Sequence, residues 1–328
     1  MTAPTALTSD ELDYATSVVR RWVPPTPQYR WPLLERALGT TVWLKHENHT
    51  PTGAFKIRGG LVYADRMTAL RPEVKGIVSA TRGNHGQSLA FAGRANGLDV
   101  TIVVPEGNSP DKNAAMRGFG ATVIVHGHDY QAAREHSVEL AERGRLEAVP
   151  AYHPDLVLGV ATYAAELFAA VADLDVVYVP VGMGSGISGL IRVRDLLGSA
   201  ADIVGVVSDR APATALSFAA GQVVATESAQ TFVDGVACRV PDPAAIATIN
   251  AGAARVVQVS EDAAAAAVRL MLECTHNLPE PAGALALAGA LTEKQSLAGR
   301  RVGLVLTGGN IDGPMLAEIL AGRTPPAR

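Results

Sequence analysis

Cysteine is scarce. Cys238 and Cys274 are the only two in 328 residues, too few for a disulfide framework or a thiolate metal site. Long apolar runs are missing as well: the stretch AAAAAVRLML is interrupted by Arg269, so no membrane span is expected. Charge is sparse and nearly balanced, with 18% charged residues and a formal net charge of −4. Such a chain has no electrostatic reason to seek nucleic acid or an anionic membrane. The opening MTAPTALTSDELDYA has no basic region leading into an apolar run, so no secretory signal is expected. No internal repeat, low-complexity tract or obvious linker is visible. What remains is a compact, reduced chain expected in the cytoplasm, 48% hydrophobic and long enough for two ordinary domains or one large one.

Short Val- and Ile-rich runs recur through the chain and end at Gly, Pro or Ser. They are GIVSA (76–80), VTIVVPEG (100–107), ATVIVHG (121–127), DVVYVPVG (175–182), ADIVGVVS (201–208) and RVGLVLTGG (301–309). Ala-rich, helix-like stretches such as QSLAFAGRANG and YQAAREHSVELAERG lie between them. This alternation predicts an α/β fold with mostly parallel sheets covered by helices on both faces. The first three strands after Lys56 are expected to form a small sheet, and the later strands with the N-terminal segment a larger one. Ligands in such sheets sit beyond the carboxyl ends of the strands.

Three loops fall there. The stretch TPTGAFKIRGG (50–60) follows the strand-like TVWLKHEN and sets Lys56 among small residues. The ordinary reading of a lysine is a solvated surface charge; the alternative is that small neighbours leave room for a group bound to its amine. DVVYVPV runs into GMGSGISG (182–189) and then a helix-like LIRVRDLL. Strand, glycine loop, helix is the arrangement that aims backbone N–H groups at a phosphate. Gly184, Gly186 and Gly189 also match the dinucleotide spacing G-x-G-x-x-G, with Asp209 following 20 residues after Gly189. A nicotinamide-dependent dehydrogenase therefore stays open on this loop alone. In GIVSATRGNHGQSLAFAG (76–93), Thr81, Gly83, Asn84 and His85 offer donors at a helix start, either for a carboxylate or simply as a capped turn. RVGLVLTGGNIDG (301–313) ends a buried-looking strand at Thr307.

Together these residues resemble a known family. The order K-x-E-N, P-T-G-x-F-K-x-R-G, S-A-x-x-G-N-H-G-Q, a P-V-G glycine loop, T-F-V-D-G (231–235), E-P-A-G (280–283) and T-G-G-N is similar to the pyridoxal-phosphate enzymes of fold type II. The likeness runs from about Thr26 to Gly313 and points to the serine/threonine dehydratases (threonine ammonia-lyases) and serine racemases. It implies a tryptophan-synthase-β-like fold of two three-layer α/β/α domains, residues 1–70 with 151–328 holding the cofactor and residues 71–150 forming the smaller one. It implies that Lys56 forms the Schiff base with pyridoxal 5′-phosphate. Gly182, Met183, Gly184, Ser185 and Gly186 match the phosphate loop, Asn84 the residue on the ring hydroxyl, and Phe55 the one packed on the ring. Thr81, Arg82, Gly83, Asn84 and His85 match the substrate loop. Thr307 matches the position facing the pyridine nitrogen, where a neutral hydroxyl gives a weaker electron sink, suited to β-elimination. The implied reaction removes water from a small β-hydroxy amino acid and yields a keto acid and ammonia; a homodimer is implied too. No counterpart of the regulatory domain of longer biosynthetic dehydratases is expected.

The sequence departs from the family pattern at several points. Arg82 stands where relatives carry Ser or Ala. A serine there is the acid/base of the racemases, so racemisation is not expected as the main activity. An arginine instead suits an extra carboxylate, as in 3-hydroxyaspartate, or turns out to solvent. Threonine, serine and an aryl-serine stay open as substrates. Val207 and Ala213 occupy the positions of the acidic pair through which several relatives bind a divalent cation, and Asp209 is alone, so no metal is expected there. Met183 and Ser185 replace glycines in the phosphate loop. β-Replacement enzymes share the fold, but their asparagine loop lacks the His-Gly-Gln present at 85–87.

Overall fold

The computed structural model describes residues 6–144 and 146–327. Its strands are β1 (Gln28–Arg30), β2 (Thr41–His46), β3 (Gly76–Ala80), β4 (Asp99–Val104), β5 (Thr122–Val125), β6 (Glu147–Ala148), β7 (Val176–Pro180), β8 (Asp202–Ser208), β9 (Arg255–Val259) and β10 (Arg301–Leu306). They make two sheets, one ordered β1-β2-β10-β7-β8-β9 and one ordered β5-β4-β3-β6. Every pairing is parallel except the edge pair β1–β2. The smaller sheet gains a fourth strand, the two-residue β6, which is too short to leave a periodic signal. β1 and β9 also escape the pattern of long Val/Ile runs, since both lie at sheet edges and are only partly buried.

Strand alternation feeds a separate hydrophobic layer on each face. In β7, Val177 and Val179 face one core while Val176 and Tyr178 face another. In β3 and β4, Ile77, Val100, Ile102 and Val104 join the first core, whereas Val78, Ala80 and Val103 pack with Ala133 of the helix Tyr130–Gly144. The first core therefore runs beneath both sheets without a break. Its central helices are Lys56–Leu70, Asn84–Ala95, Pro154–Ala170 and Ser185–Leu196.

The helix that begins at Lys56 lies in the middle of this layer and explains its own glycines. A Cβ on Gly59 would stand 2.6 Å from the Leu156 carbonyl oxygen, and one on Gly60 would collide with Ser88 Oγ. Across the first contact, a Cβ on Gly159 would strike the Arg58 carbonyl. Two of the small residues near Lys56 thus have a packing task besides any room they leave at its amine. Gly59 and Gly60 let two neighbouring helices approach backbone to backbone, and only Gly59 also lines the cavity at Lys56.

Candidate active site

The segment that presents Lys56 is sewn to the end of β10. Thr50 Oγ1 accepts from the Ala54 N–H at 3.0 Å and donates to the Ala54 carbonyl at 2.9 Å. The Phe55 N–H donates to the Thr307 carbonyl at 3.0 Å, and the Gly309 N–H to the Gly53 carbonyl at 2.9 Å. Gly53 turns through φ = 66°, a left-handed conformation that favours glycine. Lys56 and Thr307, 251 positions apart in the chain, thereby become neighbours through backbone hydrogen bonds.

Below them lies a second anchor that sequence reading missed. Arg58 is fully buried, two residues after Lys56. Its Nε and Nη2 donate to the two carboxylate oxygens of Glu47 at 2.7 and 3.0 Å. Its Nη1 and Nη2 donate to Glu166 at 2.8 and 3.0 Å, and Nη1 also reaches Thr162 Oγ1 at 3.0 Å. Lys45 Nζ, likewise buried, closes on Glu166 at 2.6 Å. Two buried cations thus face two buried carboxylates, with Arg20 at the rim 3.0 Å from Glu166, so each buried charge has an opposite partner, the condition for burying charge at all. The motifs K-x-E-N and F-K-x-R-G carry three of these residues, but nothing in the sequence pairs them with Glu166.

Lys56 Nζ makes no ion pair or hydrogen bond among the described residues; it sits 5.0 Å from the Phe55 ring centroid. Burial pushes its ammonium below the ordinary lysine range, and the charge of Glu280 offsets part of that. It shares a cavity with His85, Ser185, Gly59, Ala151, Leu156 and Val160. His85 and Ser185 each stand in the first turn of a helix, Asn84–Ala95 and Ser185–Leu196, so two positive helix ends meet at the lysine. His85 is kept neutral, its pKa lowered to about 3 by burial, with the charge on Lys56 adding to the shift and the Pro150 carbonyl opposing it. Its Nε2 is buried without a hydrogen-bond partner.

The glycine loop is held from behind and kept bare in front. Tyr163 donates its hydroxyl to the Gly186 carbonyl at 2.9 Å and stacks edge-on against Phe55. Gly184 has φ = 95°, and a Cβ there would stand 2.9 Å from Ala245 Cβ, while one on Gly182 would run into the Gly235 carbonyl. Met183 Sδ lies 3.6 Å from Cys238 Sγ. The second loop is braced differently. The Gly83 N–H donates to Thr81 Oγ1 at 3.1 Å, and the stem of Lys112 lies where a Gly83 side chain would go. Arg82, partly exposed, makes no ion pair among the described residues. Asn84 donates Nδ2 to Glu280 at 2.6 Å and accepts at Oδ1 from Asn310 at 2.8 Å. Glu280 and Asn310 belong to the E-P-A-G and T-G-G-N motifs, a signal that marked the segments but not their meeting with Asn84.

Of the expected site residues, Lys56, His85 and Ser185 line one cavity, Gly186 and Thr307 adjoin Phe55, and Asn84 opens the helix that carries His85. Val207 is buried in β8 and Ala213 opens the helix Ala213–Ala220. No cluster of three His, Cys, Asp or Glu suited to a metal occurs among the described residues.

Comparison with known proteins gives the same picture from a separate source. Residues 19–308 match the family model of the pyridoxal-phosphate dependent enzymes. An L-threo-3-hydroxyaspartate ammonia-lyase of Saccharomyces cerevisiae is 30% identical over 315 residues, covering 96% of each chain. The processed form of threonine deaminase isoform 2 from Solanum lycopersicum superposes with a TM-score of 0.87 at 27% identity, over 98% of this chain and 96% of that one. Maize serine racemase superposes at 0.89 with 26% identity, over 97% and 98%. The chain belongs to the pyridoxal-phosphate dependent enzymes and has the type II fold of that family.

The residues fit that cofactor. A half-buried amine without a counter-ion suits covalent capture of an aldehyde. The bare loop at Gly182 and Gly184, opening into a helix N-terminus, suits a phosphate. Asn84 keeps one N–H beyond the one given to Glu280. The nicotinamide reading of the same glycine loop leaves the lysine, Asn84 and Thr307 without a task.

Proposed function

We propose that this protein is an ammonia-lyase that removes water from a small β-hydroxy amino acid, releasing a 2-keto acid and ammonia. The observation that carries this reading is Lys56, a half-buried amine whose ammonium is held below the ordinary lysine range, in one cavity with His85 and Ser185. Pyridoxal phosphate, when bound, supplies the electron sink for the carbanion left by loss of the α-proton. The protein's own groups divide the remaining work. Lys56 would hold the cofactor, and its Nζ, freed when the substrate amine takes that place, would accept the α-proton, as a desolvated amine can at neutral pH. The amides that open the helix at Ser185 hold the phosphate, and Asn84 and Phe55 hold the ring. The Thr307 hydroxyl would offer the ring nitrogen a neutral partner. The loop Thr81 to His85 binds the amino acid, its backbone donors and helix start taking the α-carboxylate. His85, neutral and with Nε2 free, accepts a hydrogen bond from a substrate N–H or O–H.

The relatives' names span threonine, serine and 3-hydroxyaspartate chemistry, and Arg82 favours a substrate with a second carboxylate over a racemase reaction. We place the division between the two domains at residues 70/71 and 150/151, and the active form as a cytoplasmic homodimer. The test is keto-acid release from a panel of threonine, serine, 3-hydroxyaspartate and an aryl-serine, with Lys56→Ala as control. Release from one of them, lost in the variant together with borohydride fixation of the cofactor, is the expected result. Fixation at Lys56 with no release from any would refute the lyase reading.

A further inference from the structure

The helix Pro110–Gly118 belongs to the layer on the smaller sheet, yet its first turn reaches across to the larger one. Ser109, its N-cap, is hydrogen-bonded to the carboxylate of Asp312. One turn on, Lys112 points the same way. Its ammonium lies 3.5 Å from Asp234, with only 11% of the side chain exposed. Its stem fills the space in front of Gly83, one residue before Asn84. Lys112, Asp234, Glu280, Asn310 and Asp312 all line one small polar cavity behind the Asn84 helix start.

Glu280 is the centre of this group. Its N–H donates to the Gly308 carbonyl at 3.0 Å, and its carboxylate accepts from Asn84 at 2.6 Å. Four elements face it: Lys112 from the helix Pro110–Gly118, Asp234 from the turn Asp234–Val236, Asn84 from its helix start and Lys56 from the next. Asn84 is hydrogen-bonded to its carboxylate, and Lys56 is committed to the reaction. Of the two cations that face Glu280, Lys112 is the one the proposed reaction does not use.

The geometry points to Lys112 as a positioning residue: paired with Asp234 and lining the same cavity as Glu280, it keeps Glu280 an acceptor and so fixes the Asn84 amide beside Lys56. Ionised, Glu280 can only accept, and it takes one Asn84 N–H at Oε1; Asn310 locks the opposite end of the same amide, so the remaining Asn84 N–H has a single direction. With Lys112 gone, Glu280 faces Asp234 and low-dielectric surroundings without a cation from that side, and it takes up a proton more readily. The same residue ties the position of the smaller sheet to the orientation of Asn84, because Lys112 reaches Asp234 only while the two sheets stand as they do here.

The experiment uses the holoenzyme and follows the visible absorption of the bound cofactor as pH is varied, for the parent, Lys112→Met, Lys112→Arg, Glu280→Gln and the double variant Lys112→Met/Glu280→Gln. The expected result is an acid-side transition that moves up by about one pH unit in Lys112→Met, roughly tenfold in proton affinity. It returns toward the parent in Lys112→Arg and is absent in Glu280→Gln with or without Lys112. Lys112→Gln serves if the Met variant does not accumulate. A Lys112→Met titration that superposes on the parent, or one whose shift survives in the Glu280→Gln background, overturns the assignment. The titration needs no substrate, so it stands apart from the proposed reaction, on which only the name of the activity rests. Failure of every hydroxy amino acid with this spectral pattern intact refutes the lyase reading alone.

Discussion

Replacing Arg58 by Met tests whether the buried ion group is what seats the helix of Lys56. The substitution removes six hydrogen bonds, two to Glu47, two to Glu166, one to Thr162 and one to Thr26, and fills most of the volume with a flexible apolar chain. It leaves two carboxylates against one buried ammonium, Lys45, with Arg20 at the rim 3.0 Å from Glu166. Breaking a buried pair from one side costs about 3–5 kcal/mol, because the surviving charge keeps its desolvation penalty. Two stranded carboxylates put this variant at the upper end. Pairs at the surface, by contrast, contribute under about 1 kcal/mol.

The assay is urea unfolding followed across pH. Burial pushes the Glu166 carboxyl up, but Arg58 and then Lys45 outweigh it, so its value in the folded protein lies below the ordinary 4.5. A depressed carboxylate contributes stability that is full above its unfolded value and is lost as pH falls through the folded one. The gap between parent and Arg58→Met is therefore widest near neutral pH and narrows on acidification below about 4.5. A gap under about 1 kcal/mol at neutral pH, or one independent of pH, refutes this account of the group.

Three further outcomes follow from the same geometry. Gly184→Ala forces a side chain to φ = 95° and toward Ala245, so cofactor affinity falls about tenfold or more, read by titrating the apoprotein with pyridoxal phosphate. His85 has a folded value of about 3 against an ordinary 6.5, so the unfolded chain binds the extra proton between them and stability drops as pH falls below 6.5. His85→Asn flattens that limb by up to about 1.4 kcal/mol per pH unit in urea unfolding. Arg82→Ala raises KM for 3-hydroxyaspartate and leaves serine little changed; equal effects on both would remove Arg82 from substrate choice.

Much of the site was legible in the sequence because its chemistry depends on residue type. A glycine loop after a buried strand, a lysine before two glycines and an Asn-His-Gly at a helix start are local patterns, and each carries its physical reason within ten residues or so. The parallel sheets were legible for the same kind of reason, since β7, β8 and β10 are buried on both faces and read as continuous apolar runs. The fourth strand of the smaller sheet, β6, was not, because two residues cannot show a period.

What the sequence alone singled out was the set of candidate groups, Lys56, Asn84, the Gly182–Gly186 loop and Thr307, along with the α/β order that brings their loops to strand ends. The tertiary structure alone decided their partners. Glu166 meets Arg58, and Lys112 and Glu280 converge behind Asn84, across more than 100 residues of chain in each case. Gly59 and Gly60 proved to be sites of helix contact, where the nearest neighbour is Leu156 or Ser88 of another helix. Local sequence fixes what a residue can do. Only packing sets which charge stands within a few ångströms of it, and Coulomb and hydrogen-bond energies depend on that distance.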